Sequence, residues 1–245
     1  MAVDGSLRTP QPDCVRPVGF AVMKQHWRDL AYIHFDYDPG VVQALLPPGL
    51  EVDTWNGRAW VGLIPFSMRR ISFPLTPAVP YLGSFPEVNV RTYVIRDGVP
   101  GVWFFSLDIN RLLPAVVARL TYRLPYCWGS ASNKMGTGRL VTDVHRRWPA
   151  GDATARIEVS VGEAITEPSA FEHFLTARWG LYSCAGGERL RYAPVDHPRW
   201  DLHRASIVTL DETLVAAAGL PAPASEPHCM WSSGVPVRIG LPRRA

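Results

Sequence analysis

The sequence predicts a mainly β fold: a single antiparallel barrel or cone with a few short helices. Three observations lead there. Short runs rich in Val, Ile, Phe, Tyr and Trp recur along the chain, turn residues separate them, and hairpins join them more often than helical crossovers. A chain of 245 residues suggests one or two domains, and single β-barrels commonly reach this length. No internal repeat and no linker follow residue 20. The expected organisation is therefore a flexible arm over 1–20 and one barrel domain over 21–245.

The elements follow in order. Leu30–Tyr37 has strand composition, and Asp38-Pro39-Gly40 stops it. Val41–Leu46 suits a short helix closed by Pro47-Pro48-Gly49. Asn56-Gly57 then sits between two β-prone runs, the pairing that a two-residue type I′ hairpin requires. A second hairpin pairs Glu87–Ile95 with Val102–Asp108 around Arg96-Asp97-Gly98. Leu112–Tyr122 reads as a helix with Pro114 in its first turn. Strands resume at Arg139–Trp148 and Ala153–Val161, and the Gly/Ser/Asn-rich stretch around Lys134 reads as an exposed loop. Ser169–Ala177 suits a helix. Trp179–Cys184 and Arg189–Pro194 form a hairpin around Ala185-Gly186-Gly187. Asp201–Leu210 is a strand, Asp211 caps a helix reaching Ala218, and Val235–Ile239 adds a last strand. The total is about ten strands.

Composition excludes several function classes. Hydrophobic residues make up 47% and charged residues 19%, which rules out general disorder. The net charge is +3, with Lys24 and Lys134 the only two lysines among 25 basic residues. The arginines are scattered, whereas nucleic-acid binding needs a concentrated basic footprint. No run approaches the ~20 apolar residues of a membrane span, and the first twenty residues lack an apolar leader core, so a cytoplasmic location is expected. Cys14, Cys127, Cys184 and Cys229 lie far apart and read as reduced thiols. His228-Cys229 with His173 and His197 lacks metal-site spacing, so neither metal nor other cofactor is expected. Met135-Gly136-Thr137-Gly138 lacks the third glycine and the following helix of a dinucleotide loop.

The informative segment is Phe85–Val94. Side chains alternate faces along a strand, so Glu87, Asn89, Arg91 and Tyr93 share one face and Val88, Val90, Thr92 and Val94 the other. A polar row of this kind commonly faces solvent. Against that, the partner run Val102–Leu107 is apolar on both faces, and Arg91 beside Tyr93 and Glu87 suits an acidic or carbonyl-bearing ligand, because guanidinium grips carboxylate bidentately. Burial would raise the Glu87 pKa, and Arg91 nearby would lower it again. Most of the nine tryptophans read as core. Trp60 and Trp128 are candidates for a ring-binding pocket wall.

Phe85–Val94, with Val102–Asp108, Ala118–Tyr126, Phe174–Tyr182 and His197–Leu202, resembles the DUF2071 or YqjF-like family, over roughly residues 24–210. That family is grouped with the acetoacetate decarboxylase-like superfamily, so the resemblance implies a β-barrel or cone around an internal pocket. Asp38-Pro39 and Leu45–Glu51 resemble the decarboxylase entry segment. The resemblance places Glu87 at the pocket glutamate, Tyr126 at the Schiff-base lysine, Cys127 at the second lysine and Asp36 at the pocket arginine. His197, in His197-Pro198-Arg199-Trp200, recurs in the family without an assigned role. With no matched amine, imine chemistry is not expected. Lys24 reads as lying before the first strand.

The expected function is a small-molecule enzyme acting on a carbonyl or carboxylate compound by metal-free acid/base chemistry. Glu87, Arg91 and Tyr126 are the candidate catalytic residues; Asn89, Tyr93, Trp60, Trp128 and His197 are the candidate substrate contacts. The alternative is a non-catalytic small-molecule binding barrel. The partner is a small molecule, with no nucleic acid and no membrane, and a homo-oligomer is left open.

Overall fold

A computed structural model describes residues 11–149, 151–185 and 189–245. Strand β1 (Ala21–Tyr37) is followed by α1 (Pro39–Gln43), β2 (Glu51–Val52), β3 (Thr54–Trp55), β4 (Arg58–Ser72), β5 (Phe85–Arg96) and β6 (Val99–Ile109). Then come α2 (Leu112–Thr121), β7 (Tyr126–Met135), β8 (Arg139–Trp148), β9 (Thr154–Ala164) and α3 (Ala170–Thr176). The chain ends with β10 (Gly180–Ala185), β11 (Arg189–Asp196), β12 (Leu202–Glu212), α4 (Leu214–Ala217), β13 (His228–Gly240) and β14 (Arg243–Arg244). Asn56 (φ 49°) and Gly57 (φ 73°) carry the predicted type I′ turn between β3 and β4.

All strands belong to one sheet that closes on itself twice. One ring-like circuit runs β6–β7–β8–β9–β12–β13–β1–β4–β5 and back to β6. A smaller one runs β6–β10–β11–β13–β1–β4–β5. The stretch β13–β1–β4–β5–β6 is common to both. Pairing is antiparallel except where β6 meets β7 and β10.

The shared wall explains the strand patterns. Ile33 of β1, Leu63 of β4 and Val88 and Val90 of β5 pack with Leu140, Ile157 and Val159 from β8 and β9, filling the larger circuit. On the opposite face Tyr32, Ile64, Phe66 and Tyr93 pack with Phe174 and Leu175 of α3. β5 is therefore buried on both sides. A Ser169–Glu172 capping box starts α3, each side chain accepting from the other's backbone N–H.

Four expectations need correction. β1 starts at Ala21, not Leu30, because its first half pairs with β13 and β4, so Lys24 lies within it. The stretch around Lys134 is strand β7, where cross-strand pairing with β8 overrides the weak β propensity of Gly, Ser and Asn. Asn133 helps hold it, donating to the Asp29 carbonyl and Ser67 and accepting from Thr142. Asp211 pairs within β12 opposite Arg156; Glu212 accepts instead from the Val215 N–H at the start of α4. Fourteen strands are present among the described residues, four of them only two residues long or unforeseen in the β7 region. Residues 1–10 of the arm and the Gly186-Gly187 turn lie outside the described residues. Within 11–20, Val18 is buried and its N–H donates to Asp196.

Candidate active site

β5 presents Glu87, Asn89 and Arg91 to the smaller compartment, opposite Phe66, Ile64 and Gly62 of β4. All three polar side chains are buried, with Glu87 only 2% exposed and Arg91 9%. The solvent-facing alternative is thereby excluded. Gly62 also pairs with His34 of β1, and a Cβ there would lie 2.9 Å from His34 Nε2. A glycine leaves the room that the His34 ring occupies.

Glu87 occupies one end of this row. Burial pushes its pKa up to about 8; the Tyr126 hydroxyl and the Asn89 side chain pull it down, and Asp108 pushes it further up. Tyr126, at the start of β7, donates to Glu87 Oε2 at 3.3 Å. The carboxyl group is thus protonated at neutral pH, a form that can give a proton away. Arg91 does not counter this, contrary to the sequence expectation. Four residues at a rise of ~3.3 Å separate the two Cα atoms by ~13 Å along the strand.

Arg91 has an unusual environment. Three arginines are buried among the described residues: Arg91, Arg146 and Arg178. Arg146 grips Asp108 bidentately at 2.7 and 2.6 Å, and Arg178 meets Asp53 at 2.6 Å. Arg91 has no carboxylate partner among the described residues. Its Nη2 donates only at long range, to the Leu175 carbonyl at 3.4 Å and to the Tyr93 hydroxyl at 3.5 Å, and its Nε has no protein partner. The Leu175 carbonyl belongs to the end of α3, where unpaired carbonyls offer partial negative charge to a cation.

The Tyr93 hydroxyl lies 2.6 Å from both the Leu175 carbonyl and His34 Nε2. A carbonyl only accepts, so the hydroxyl donates to Leu175 and His34 Nε2–H donates to the hydroxyl. Burial and the Arg91 charge hold the His34 pKa well below its usual value, so the ring is neutral and Nδ1 is a bare acceptor. Arg178 backs Tyr93 from the other side, its guanidinium 4.5 Å from the ring centre. Around Arg91, four buried polar atoms have no protein partner: Tyr32 Oη, His34 Nδ1, Asn89 Oδ1 and Arg91 Nε.

Of the sequence candidates, Glu87, Asn89, Arg91, Tyr93 and Tyr126 line this compartment. Trp60 shares the β4 face with Gly62 and packs 4.6 Å from Phe171 of α3, its Nε1 without a partner. Trp128 follows Tyr126 on the same face of β7, opposite Ile109. His197 lies apart, packed between the tilted rings of Trp179 (4.6 Å) and Trp200 (4.8 Å). Tyr32, His34 and Arg178 were missed. The alternation of Tyr32 and His34 in β1 was a readable signal, whereas Arg178 acts through long-range packing. Asp36 pairs with Arg58 at 2.7 Å, and Cys127 is buried with its thiol pKa pushed up to about 11. Lys24 and Lys134 are both exposed. Among the described residues no cluster of three His, Cys, Asp or Glu side chains could hold a metal ion, and no helix is long and apolar enough to cross a membrane.

The family model of DUF2071, described as an uncharacterized conserved protein, matches residues 24–236. The chain belongs to the DUF2071 family. This DUF2071 protein is also 32% identical over 222 residues to the uncharacterized protein YqjF of Bacillus subtilis (strain 168), covering 90% of this chain and 91% of that one. Its fold matches acetoacetate decarboxylase from Legionella pneumophila, with a TM-score of 0.64 at 13% identity over 100% of this chain and 97% of that one. It also matches the enduracididine biosynthesis enzyme MppR complexed with pyruvate, with a TM-score of 0.63 at 14% identity over 92% and 91%. At such identities the DUF2071 protein shares their fold, and its chemistry has to be argued from its own residues.

Proposed function

We propose that this DUF2071 protein is an enzyme that binds a small carboxylate on Arg91 and uses Glu87 to move a proton on the bound carbonyl compound. The observation that carries this reading is Arg91 itself, the buried arginine without a counter-ion among the described residues. A buried, poorly paired guanidinium is costly, and a ligand carboxylate supplies the bidentate partner that Asp108 supplies to Arg146.

Asn89 lies between Arg91 and Glu87 on the same face. A ligand running along β5 from Arg91 crosses the Asn89 amide before reaching Glu87, which favours an acid several bonds longer than acetate. The ionised fraction of Glu87 takes the α-proton of the bound acid, and the protonated Glu87 so formed gives that proton back to the enolate or to a leaving oxygen, while the Tyr126 hydroxyl stabilises the carboxylate form. Such a step serves enolisation, dehydration or cyclisation. The solved relatives' names point the same way, since one binds pyruvate and another is a decarboxylase of acetoacetate. Tyr126 at the imine-lysine position and two exposed lysines favour chemistry without a Schiff base.

Isothermal titration of small carboxylic acids, followed by proton exchange at their α-carbons in deuterium oxide, tests the proposal. Arg91→Lys should weaken binding at least tenfold, and Glu87→Gln should slow exchange at least a hundredfold. Exchange that survives in Glu87→Gln would leave a binding protein, with Arg91 as its anchor.

A further inference from the structure

A recess of about 140 Å³ opens beside the compartment just described, lined by His173, Thr176, Trp179, His197, Trp200 and Leu202. A cavity of roughly 150 Å³ holds one benzene-sized ring. The walls suit such a ring: Trp179, His197 and Trp200 form a continuous run of aromatic faces, with Trp27 stacked behind Trp200 at 6.1 Å and 17°.

Trp200, the Tyr32 ring beyond it and the end of α3 stand between the recess and Arg91. The Trp200 indole meets the Tyr32 ring edge-on at 5.5 Å, and the Arg91 guanidinium sits 5.8 Å over that same Tyr32 ring. Thr176 lines the recess, while its neighbour Leu175 turns its carbonyl to Tyr93 and Arg91. Trp200 stands in the irregular 197–201 segment between β11 and β12, where no sheet ladder holds the backbone. One hydrogen bond, from its Nε1 to the Thr176 carbonyl at 3.2 Å, and ring contacts with Trp27, Tyr32 and His197 hold it.

We propose that this recess is a ring subsite: it takes the flat aromatic end of a ligand whose carboxylate lies on Arg91, with the Trp200 indole turning aside as the ligand enters. The subsite rests on the Arg91 reading and specifies its substrate class as aryl-substituted carboxylic acids. A cationic ring is disfavoured, because no free carboxylate lines the recess; Asp13 at its rim is paired with Arg199 at 2.5 and 2.6 Å. His197 adds a preference. Its Nδ1–H donates to the Pro198 carbonyl at 2.7 Å, leaving Nε2 as an acceptor with no partner among the described residues. A phenolic or N–H donor on the ring would fill it.

Titration calorimetry with propanoate, 3-phenylpropanoate and 3-(4-hydroxyphenyl)propanoate tests this. The phenyl acid should bind at least tenfold tighter than propanoate, and the phenol tighter again. Trp179→Leu should collapse the phenyl-to-propanoate ratio to near one, and His197→Leu should erase the extra gain of the phenol. Arg91→Lys should weaken all three acids. Equal affinity for propanoate and the phenyl acid, or a ratio that survives Trp179→Leu, overturns the ring subsite while an Arg91 effect keeps the carboxylate reading. Indifference of all three acids to Arg91→Lys overturns both.

Discussion

The Tyr126 hydroxyl lies 3.3 Å from Glu87 Oε2, bridging two strands, β7 and β5, that do not pair with each other. It joins a tyrosine hydroxyl to a buried carboxyl group whose pKa is pushed up to about 8.

The first prediction concerns stability and pH. The Glu87 pKa is about 8 in the folded chain against 4.5 for an unperturbed group. Between these values the unfolded chain releases a proton that the native chain keeps, so stability falls as pH rises through that window. At about 1.4 kcal/mol per unit, the loss is at most on the order of 5 kcal/mol. Thermal melts of Glu87→Gln should match wild type near pH 5 and exceed it at pH 9. Parallel pH profiles for the two proteins would refute the buried-acid assignment.

Arg91 and Arg178 should respond oppositely to truncation. Arg91→Met removes a buried cation without a carboxylate partner, so urea denaturation should show unchanged or slightly raised stability, by up to ~1 kcal/mol. Arg178→Met strands the Asp53 carboxylate in the interior and should cost about 3–5 kcal/mol. A large loss from Arg91→Met would mean that the guanidinium is structural.

Imine trapping should fail. Incubation with acetoacetate and borohydride should leave the intact mass unchanged, since Tyr126 cannot form an imine and both lysines are exposed. A single reduced adduct at Lys24 or Lys134 would bring amine catalysis back.

Gly62→Ala sets a methyl group 2.9 Å from His34 Nε2. The ring has to shift away from Tyr93, breaking the 2.6 Å contact, at a cost of about 1–3 kcal/mol. Loss of the downfield imidazole N–H resonance in the variant is the expected readout; an unchanged resonance would contradict it.

The strand from Phe85 to Arg96 shows what was legible. Alternation alone put Glu87, Asn89, Arg91 and Tyr93 on one face, because a pleated strand admits no other arrangement. Two turns were equally local: Asn56-Gly57 between β3 and β4 and Asp97-Gly98 between β5 and β6 adopt positive φ as their residue types favour. β7 was illegible for the converse reason. Its Ser and Asn residues carry no apolar rhythm, and only the pairing with β8 and the Asn133 contacts make it a strand.

Sequence by itself thus determined the β class, the hairpins and the set of polar side chains sharing a face, all set by backbone geometry within a few residues. Tertiary structure decided what that face looks into. The double closure of the sheet buries β5 on both sides, raises the Glu87 pKa and leaves Arg91 without a carboxylate partner among the described residues. Those outcomes depend on desolvation and on partners such as His34, Tyr126, Leu175 and Arg178. All four lie outside β5, brought near by strand pairing and helix packing over long sequence separations, and Leu175 contributes a backbone carbonyl that no side-chain pattern could reveal.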